Sequence, residues 1–198
     1  MRRIIIRAVL PIALVALAGC SSTPPSQFYT LGPSAGGGAA SGSTVAVIVG
    51  PVSVPAAVDR PQIVVTAGAN QVQLDEFNRW ASPLQDQIAV TLASDLAAGL
   101  GTPNVTTLAG GDVQTAQYRV VVDVLRFDST PGAVAALDAA WTVRRVKDGK
   151  SESGRTSVQE PLQQPGYAAL AAGHSRAVGQ LANDVASAIR SLEAAPVQ

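Results

Sequence analysis

Apolar residues recur with two different periods along this 198-residue chain, and together they predict an alternation of strands and helices. Thr44 to Val54 is rich in valine and reads as a buried strand, with Pro51 and Pro55 marking a break or an edge. Gln62 to Thr66 and Gln71 to Leu74 flank Ala67-Gly68-Ala69-Asn70, the pattern of a hairpin. Glu76 to Ala81 then reads as a connecting segment. Ser82-Pro83-Leu84-Gln85 predicts a helix start, in which Ser82 caps, Pro83 takes the first helical position and Gln85 completes a capping box. Leu84, Ile88, Leu92, Leu96 and Leu100 follow every four residues, one apolar face of a helix that stops near Gly99 or Gly101.

After a short strand-like run at Val105 to Leu108, Tyr118 to Phe127 is apolar on both faces, as an inner strand would be. Val134 to Val146 alternates Leu137, Ala139, Trp141 and Val143 against Asp138, Thr142 and Arg144. Lys147-Asp148-Gly149-Lys150 is a turn signal, and Thr156 to Gln159 reads as the returning strand. From Tyr167 to Leu192, apolar residues spaced by three and four (Leu170, His174, Val178, Leu181, Val185, Ile189) predict a long helix. The sum is an α/β (α+β) sandwich, a mainly antiparallel sheet with two main amphipathic helices packed on it.

The N-terminal end does not fit that pattern. Arg2, Arg3 and Arg7 precede an apolar run from Ala8 to Ala18, then Leu17-Ala18-Gly19-Cys20. The run is too short to span a bilayer, and its order is that of a secretory signal. Leu-Ala-Gly-Cys resembles the bacterial lipobox, which implies cleavage before Cys20 and acylation of that residue. Two or three acyl chains make a durable anchor, because each buried methylene contributes about 0.8 kcal/mol. Ser21 and Ser22 follow where an inner-membrane lipoprotein often carries Asp, so the expected address is the outer membrane, facing the periplasm. Gln27 to Leu31 is a short β-prone run, and Gly32 to Ser43 is almost entirely Gly, Ala, Ser and Pro. The expected organisation is a signal peptide over residues 1–19, a lipidated tether over 20–43 and one domain over 44–198.

Composition narrows the partners. Apolar residues make up 47% of the chain, enough for a sizeable core. With the three signal arginines removed, 11 basic side chains face 14 acidic ones, which argues against nucleic acid or an anionic surface as an electrostatic partner. Cys20 is the only cysteine, so the fold relies on no disulfide.

Catalytic chemistry finds no support. Gly173-His174-Ser175-Arg176-Ala177 has the look of a nucleophile elbow, but it lies inside a helical pattern and the chain's one histidine is the neighbour of that Ser. Gly149-Lys150-Ser151 lacks the earlier glycine of a P-loop, since Arg144 stands there. Asp123, Asp128 and Asp138 are scattered along strands rather than clustered as a metal site would need, so they read as solvated or paired. Binding is the remaining class. Trp80 is one of two tryptophans and Phe77 one of three phenylalanines, and with Arg79 between them they are the candidate partner-binding residues, weighed against simple packing.

Four stretches carry a family resemblance: the lipobox with Phe28-Tyr29-Thr30-Leu31, then Asp59-Arg60-Pro61-Gln62-Ile63-Val64, then Arg79-Trp80-Ala81-Ser82-Pro83-Leu84, and the C-terminal helix. In combination and order they resemble the ABC-type transport auxiliary lipoproteins, the PqiC-like family. That resemblance implies a non-enzymatic component of a lipid transport system built from an ABC ATPase, a permease and MCE-domain proteins. It implies an MCE-domain partner; with the lipobox and the charge balance, the expectation is membrane attachment through the lipid, no nucleic acid, and no cofactor beyond the covalent lipid on Cys20, while homo-oligomerisation stays open. It also implies a fold similar to the TolB N-terminal domain. A periplasmic lipid carrier and a TolB-like envelope-integrity factor are the alternatives.

Overall fold

The computed structural model describes residues 24–34, 42–110 and 115–196. The expected signal peptide and Cys20 lie outside the described residues. In chain order the elements are β1 (Gln27–Tyr29), β2 (Val47–Ser53), β3 (Gln62–Gly68), β4 (Gln71–Trp80), α1 (Leu84–Leu100), β5 (Val105–Thr107), β6 (Tyr118–Thr130), β7 (Val134–Arg145), β8 (Ser151–Pro161) and α2 (Tyr167–Ala194). The fold is α+β as expected: two helices pack against two mixed sheets, a three-stranded one ordered β1-β4-β3 and a five-stranded one ordered β5-β2-β6-β7-β8.

β6, β7 and β8 form the expected antiparallel meander, whereas β2 lies parallel to both β5 and β6. β6 is not buried on both sides. Val120, Val122 and Val124 point into the core, while Val121 and Leu125 are exposed, because the helices cover only one face of the sheet. A bulge at Leu125 shifts the register between Val124 and Arg126 and returns Phe127 to the core side. The C-terminal stripe is as the spacing predicts, with Leu170, His174, Val178, Leu181, Val185, Ile189 and Leu192 all buried.

α1 buries Leu84, Ile88, Leu92 and Leu96 against β2 and β5, and ends with Gly101 in the left-handed conformation. Its start differs from the capping box that Ser82 and Gln85 predict. Pro83 is the N-cap residue and no side chain caps the helix; instead the Gln87 side chain turns back and donates to the Ser82 carbonyl at 2.9 Å.

Packed structure reaches back to residue 27. β1 pairs parallel with β4, and Leu31 is buried. The segment that follows crosses the helix pair with its backbone held by buried side chains. Leu31 N–H donates to Gln87 Oε1 at 2.8 Å, Gly32 N–H to Ser175 Oγ at 3.1 Å and Ser34 N–H to Asp95 Oδ1 at 2.9 Å. Gly32 and Ser34 are therefore part of the domain rather than of a free tether; residues 35–41 lie outside the described residues.

Candidate functional site

The three separated stretches Phe28–Leu31, Asp59–Val64 and Arg79–Leu84 fold into one unit. Each supplies a strand, or the end of one, to the three-stranded sheet: Phe28 pairs with Arg79 on one side of β4, and Gln62 pairs with Arg79 on the other. Trp80 N–H donates to the Pro61 carbonyl at 2.7 Å, and Ala81 N–H to the Tyr29 carbonyl at 2.9 Å. Beyond this crossing lies a cleft of about 290 Å³, rimmed by exposed Asp59 and Arg60, with Trp80 and the Ser82-Pro83 turn on the other side. Glu76 to Trp80 is thus the end of a strand, not a connecting segment.

Strand alternation then sorts the candidate residues. Tyr29 and Trp80 face inward. Tyr29 stacks at a tilt on Tyr167, with ring centroids 6.0 Å apart, and Trp80 meets Phe127 edge-on at 6.2 Å. Trp80 is 5% exposed and belongs to the core, so it is withdrawn from the candidate surface. Phe28 and Arg79, adjacent in register, face outward together, while Phe77 lies in the stretch that β3 leaves unpaired. Phe28 is 63% exposed; Phe77 and Arg79 are half-buried. Arg79 Nε is buried without a hydrogen-bond partner, and the guanidinium forms no ion pair among the described residues. The acidic groups nearby are otherwise engaged. Glu76 accepts from Gln62 Nε2 at 3.2 Å, and Asp75 accepts from Tyr167.

Phe28 is the residue that sequence reasoning did not single out. The signal was present: Phe28 and Tyr29 are neighbours in a β-prone run, so one of the two rings must face away from the core.

The remaining candidates are structural. His174 is fully buried, stacked on Phe127 at 3.7 Å, with Nε2 2.8 Å from Ser129 Oγ. Burial pushes its pKa down to about 3. Ser175 donates to the Ala171 carbonyl, one turn back on α2. Asp123 pairs with Ser53, Asp128 with Arg126 and Asp138 with Arg155. The Arg155 hydrogen bond holds the Asp138 carboxyl below its usual range, against a smaller push from burial. Gly149-Lys150 forms the turn between β7 and β8, where the Lys150 N–H donates to Asp148. Among the described residues no group of three His, Cys, Asp or Glu is placed to hold a metal, and no helix is long and apolar enough to cross a membrane.

A family model described as ABC-type transport auxiliary lipoprotein component matches residues 29–186. A crystal structure of an uncharacterized protein aligns with a TM-score of 0.70 at 20% identity, covering 84% of this chain and 99% of that one. A crystal structure of a Xanthomonas campestris protein of the DUF330 family aligns with a TM-score of 0.64 at 18% identity, covering 85% of this chain and 98% of that one. At these identities both show the fold alone. None of the curated proteins matches.

Proposed function

The chain belongs to the family of ABC-type transport auxiliary lipoprotein components, and from that membership we propose that it is a non-enzymatic adaptor of an MCE-type lipid transport system. Acylated Cys20 anchors it in the outer membrane, and the domain faces the periplasm, where it holds the MCE-domain protein and so contributes to membrane integrity. One observation carries this reading: three of the four stretches behind the resemblance converge on a single sheet whose outer side carries Phe28 and Arg79 rather than reactive groups. Two further features support it. His174, the chain's one histidine, is sealed in the core. The space between sheets and helices is filled by side chains such as Trp80, Phe127, Leu92 and Leu181, which favours an adaptor over a lipid carrier with an enclosed pocket.

The test is co-expression of the tagged full-length chain with the MCE-domain protein of an MCE, permease and ATPase set, followed by membrane fractionation and affinity capture. The adaptor reading expects acyl labelling, outer-membrane fractionation and co-capture of the MCE protein. Cys20→Ala should lose label and membrane fractionation. Lipid recovered with the chain in place of the MCE protein, or labelling that survives Cys20→Ala, would overturn the reading.

A further inference from the structure

We propose that the outer side of β1 and β4 docks flat on the phospholipid surface beside the anchor, with Arg79 taking a lipid phosphate and the Phe28 ring entering the headgroup layer. The inference rests on the Cys20 anchor, and three observations point to it.

The first is reach. Only seven Cα–Cα steps, with six residues between, separate Cys20 from Gln27, the start of β1. Fully extended they span at most about 24 Å. Once Cys20 is acylated, β1 is the element closest along the chain to the bilayer and cannot leave its vicinity. A contact made under such tethering is intramolecular, so a weak surface is enough to hold it.

The second is the residue pair itself. Phe28 projects an uncovered ring from the edge strand nearest the anchor. Arg79 is its lateral neighbour, a half-buried guanidinium that no described carboxylate neutralises. An aromatic ring beside a planar, multi-donor cation suits the boundary between acyl chains and phosphate.

The third concerns charge. The chain without its signal has more acidic than basic side chains, so long-range attraction to an anionic membrane is not available. A single guanidinium on a phosphate needs none, because zwitterionic headgroups carry the same phosphate. Glu76, the acid closest in sequence to Arg79, is engaged by Gln62, and Asp75 is engaged by Tyr167.

The experiment uses the full lipidated chain carrying Phe28→Trp, reconstituted in phosphatidylcholine vesicles with acyl chains brominated near the headgroup. Acylation is followed by mass spectrometry and anchoring by flotation. Trp80 and Trp141 are buried and set the background, measured on the chain with Phe28 intact. Docking predicts several-fold stronger quenching at position 28 than this background. Arg79→Gln should reduce it by at least half and Arg79→Lys should restore part of it, with circular dichroism unchanged. An acylated, floating chain whose position-28 emission is not quenched overturns docking and leaves the anchor reading intact. An unacylated chain that does not float overturns both. Quenching unaffected by Arg79→Gln, with MCE-protein capture lost, assigns the surface to a protein and also overturns the proposal.

Discussion

The Tyr167 hydroxyl donates a 2.7 Å hydrogen bond to Asp75 Oδ2, tying the first residue of α2 to the middle of β4. Asp75 also accepts the backbone N–H groups of Phe77 and Asn78 through Oδ1, each at 2.9 Å. Those contacts shape the irregular stretch where the β3–β4 register jumps from Gln62–Arg79 to Ile63–Asp75. The pair therefore positions Phe77 and Arg79 while touching neither side chain. Burial pushes the Asp75 carboxyl up, but the hydrogen bonds from Tyr167, Phe77 and Asn78 together hold it below the usual range. Burial, then the bond to Asp75 and its charge, pushes the Tyr167 phenol up to about 12.

Tyr167→Phe removes one hydrogen bond to a charged acceptor and should cost about 1.5 kcal/mol, read as a lower urea midpoint at neutral pH. The phenol supplies a second readout. A raised folded pKa means the neutral form stabilises the fold below the unfolded value near 10, and this is lost as pH rises toward about 12. Burial first, then carboxylate charge, also raises Tyr29 and Tyr118. The ultraviolet titration of the folded chain should thus lie entirely above the ordinary tyrosine range, and Tyr167→Phe should remove a step near 12. A tyrosine step at 10 in the folded chain would refute this.

His174 makes the opposite prediction at the acid end. Burial depresses it to about 3, so between pH 6.5 and about 3 the unfolded chain binds a proton that the folded one does not. Stability should therefore fall as pH falls, by up to about 1.4 kcal/mol per unit. The slope is read between pH 6.5 and 5, above the range in which Asp75, Asp138 and Asp148, whose pKa values are lowered, titrate. Replacement by Gln, which can keep a partner for Ser129, should flatten the slope there. An imidazole that titrates near 6.5 by NMR in the folded chain would contradict this.

Arg145 and Asp148 form the most buried ion pair among those described, with side chains 3% and 10% exposed. The guanidinium also donates to the carbonyls of Leu192 and Ala195, which end α2. Asp148→Ala would strand a buried cation beside that helix terminus, so it should lower the melting temperature markedly more than Asp138→Ala, whose partner Arg155 is 63% exposed. The Arg145 hydrogen bond, opposed by a smaller burial effect, lowers the Asp148 carboxyl to about 2. Its contribution is present above the ordinary carboxylate value and should be lost only as pH falls toward 2. Equal effects of the two substitutions would refute the assignment.

How much of this could be read from the sequence depended on locality. The α2 stripe and the alternation of β7 were legible because period alone decides which side chains a helix or strand buries. The parallel pairing of β1 with β4 was not, since Phe28 and Arg79 meet across a long stretch of chain and nothing in their own segments encodes the neighbour. The bulge at Leu125 was hidden for a related reason: an apolar residue gives no sign that it faces solvent. At the candidate site the rarity of Trp80 marked it as important but did not say for what. The parity of β4, set by its unforeseen extension to residue 80, puts Trp80 inside and Arg79 outside.

The segment from Leu31 to Ser34 joins β1 to the helix pair, and its hold should be separable from the composition of the residues that follow. Ser34 gives both its N–H and its Oγ to Asp95, a side chain 4% exposed, and the approach is so close that a Cβ on Gly179 would stand 1.8 Å from Ser34 Oγ. Only glycine at 179 admits the segment in this position. Gly179→Ala should therefore displace Ser34 and speed hydrogen exchange at the amides of Leu31, Gly32 and Ser34, while exchange along α2 stays slow. Asp95→Ala removes two acceptors and should cost about 1–3 kcal/mol, or about 2–4 °C of melting temperature per kcal/mol. Replacing residues 35–41 with a Gly/Ser stretch of equal length should change neither quantity. Unaltered exchange at Leu31, Gly32 and Ser34 in Gly179→Ala would show that the segment is not seated between the helices. Destabilisation by the 35–41 replacement would show that the hold extends past Ser34.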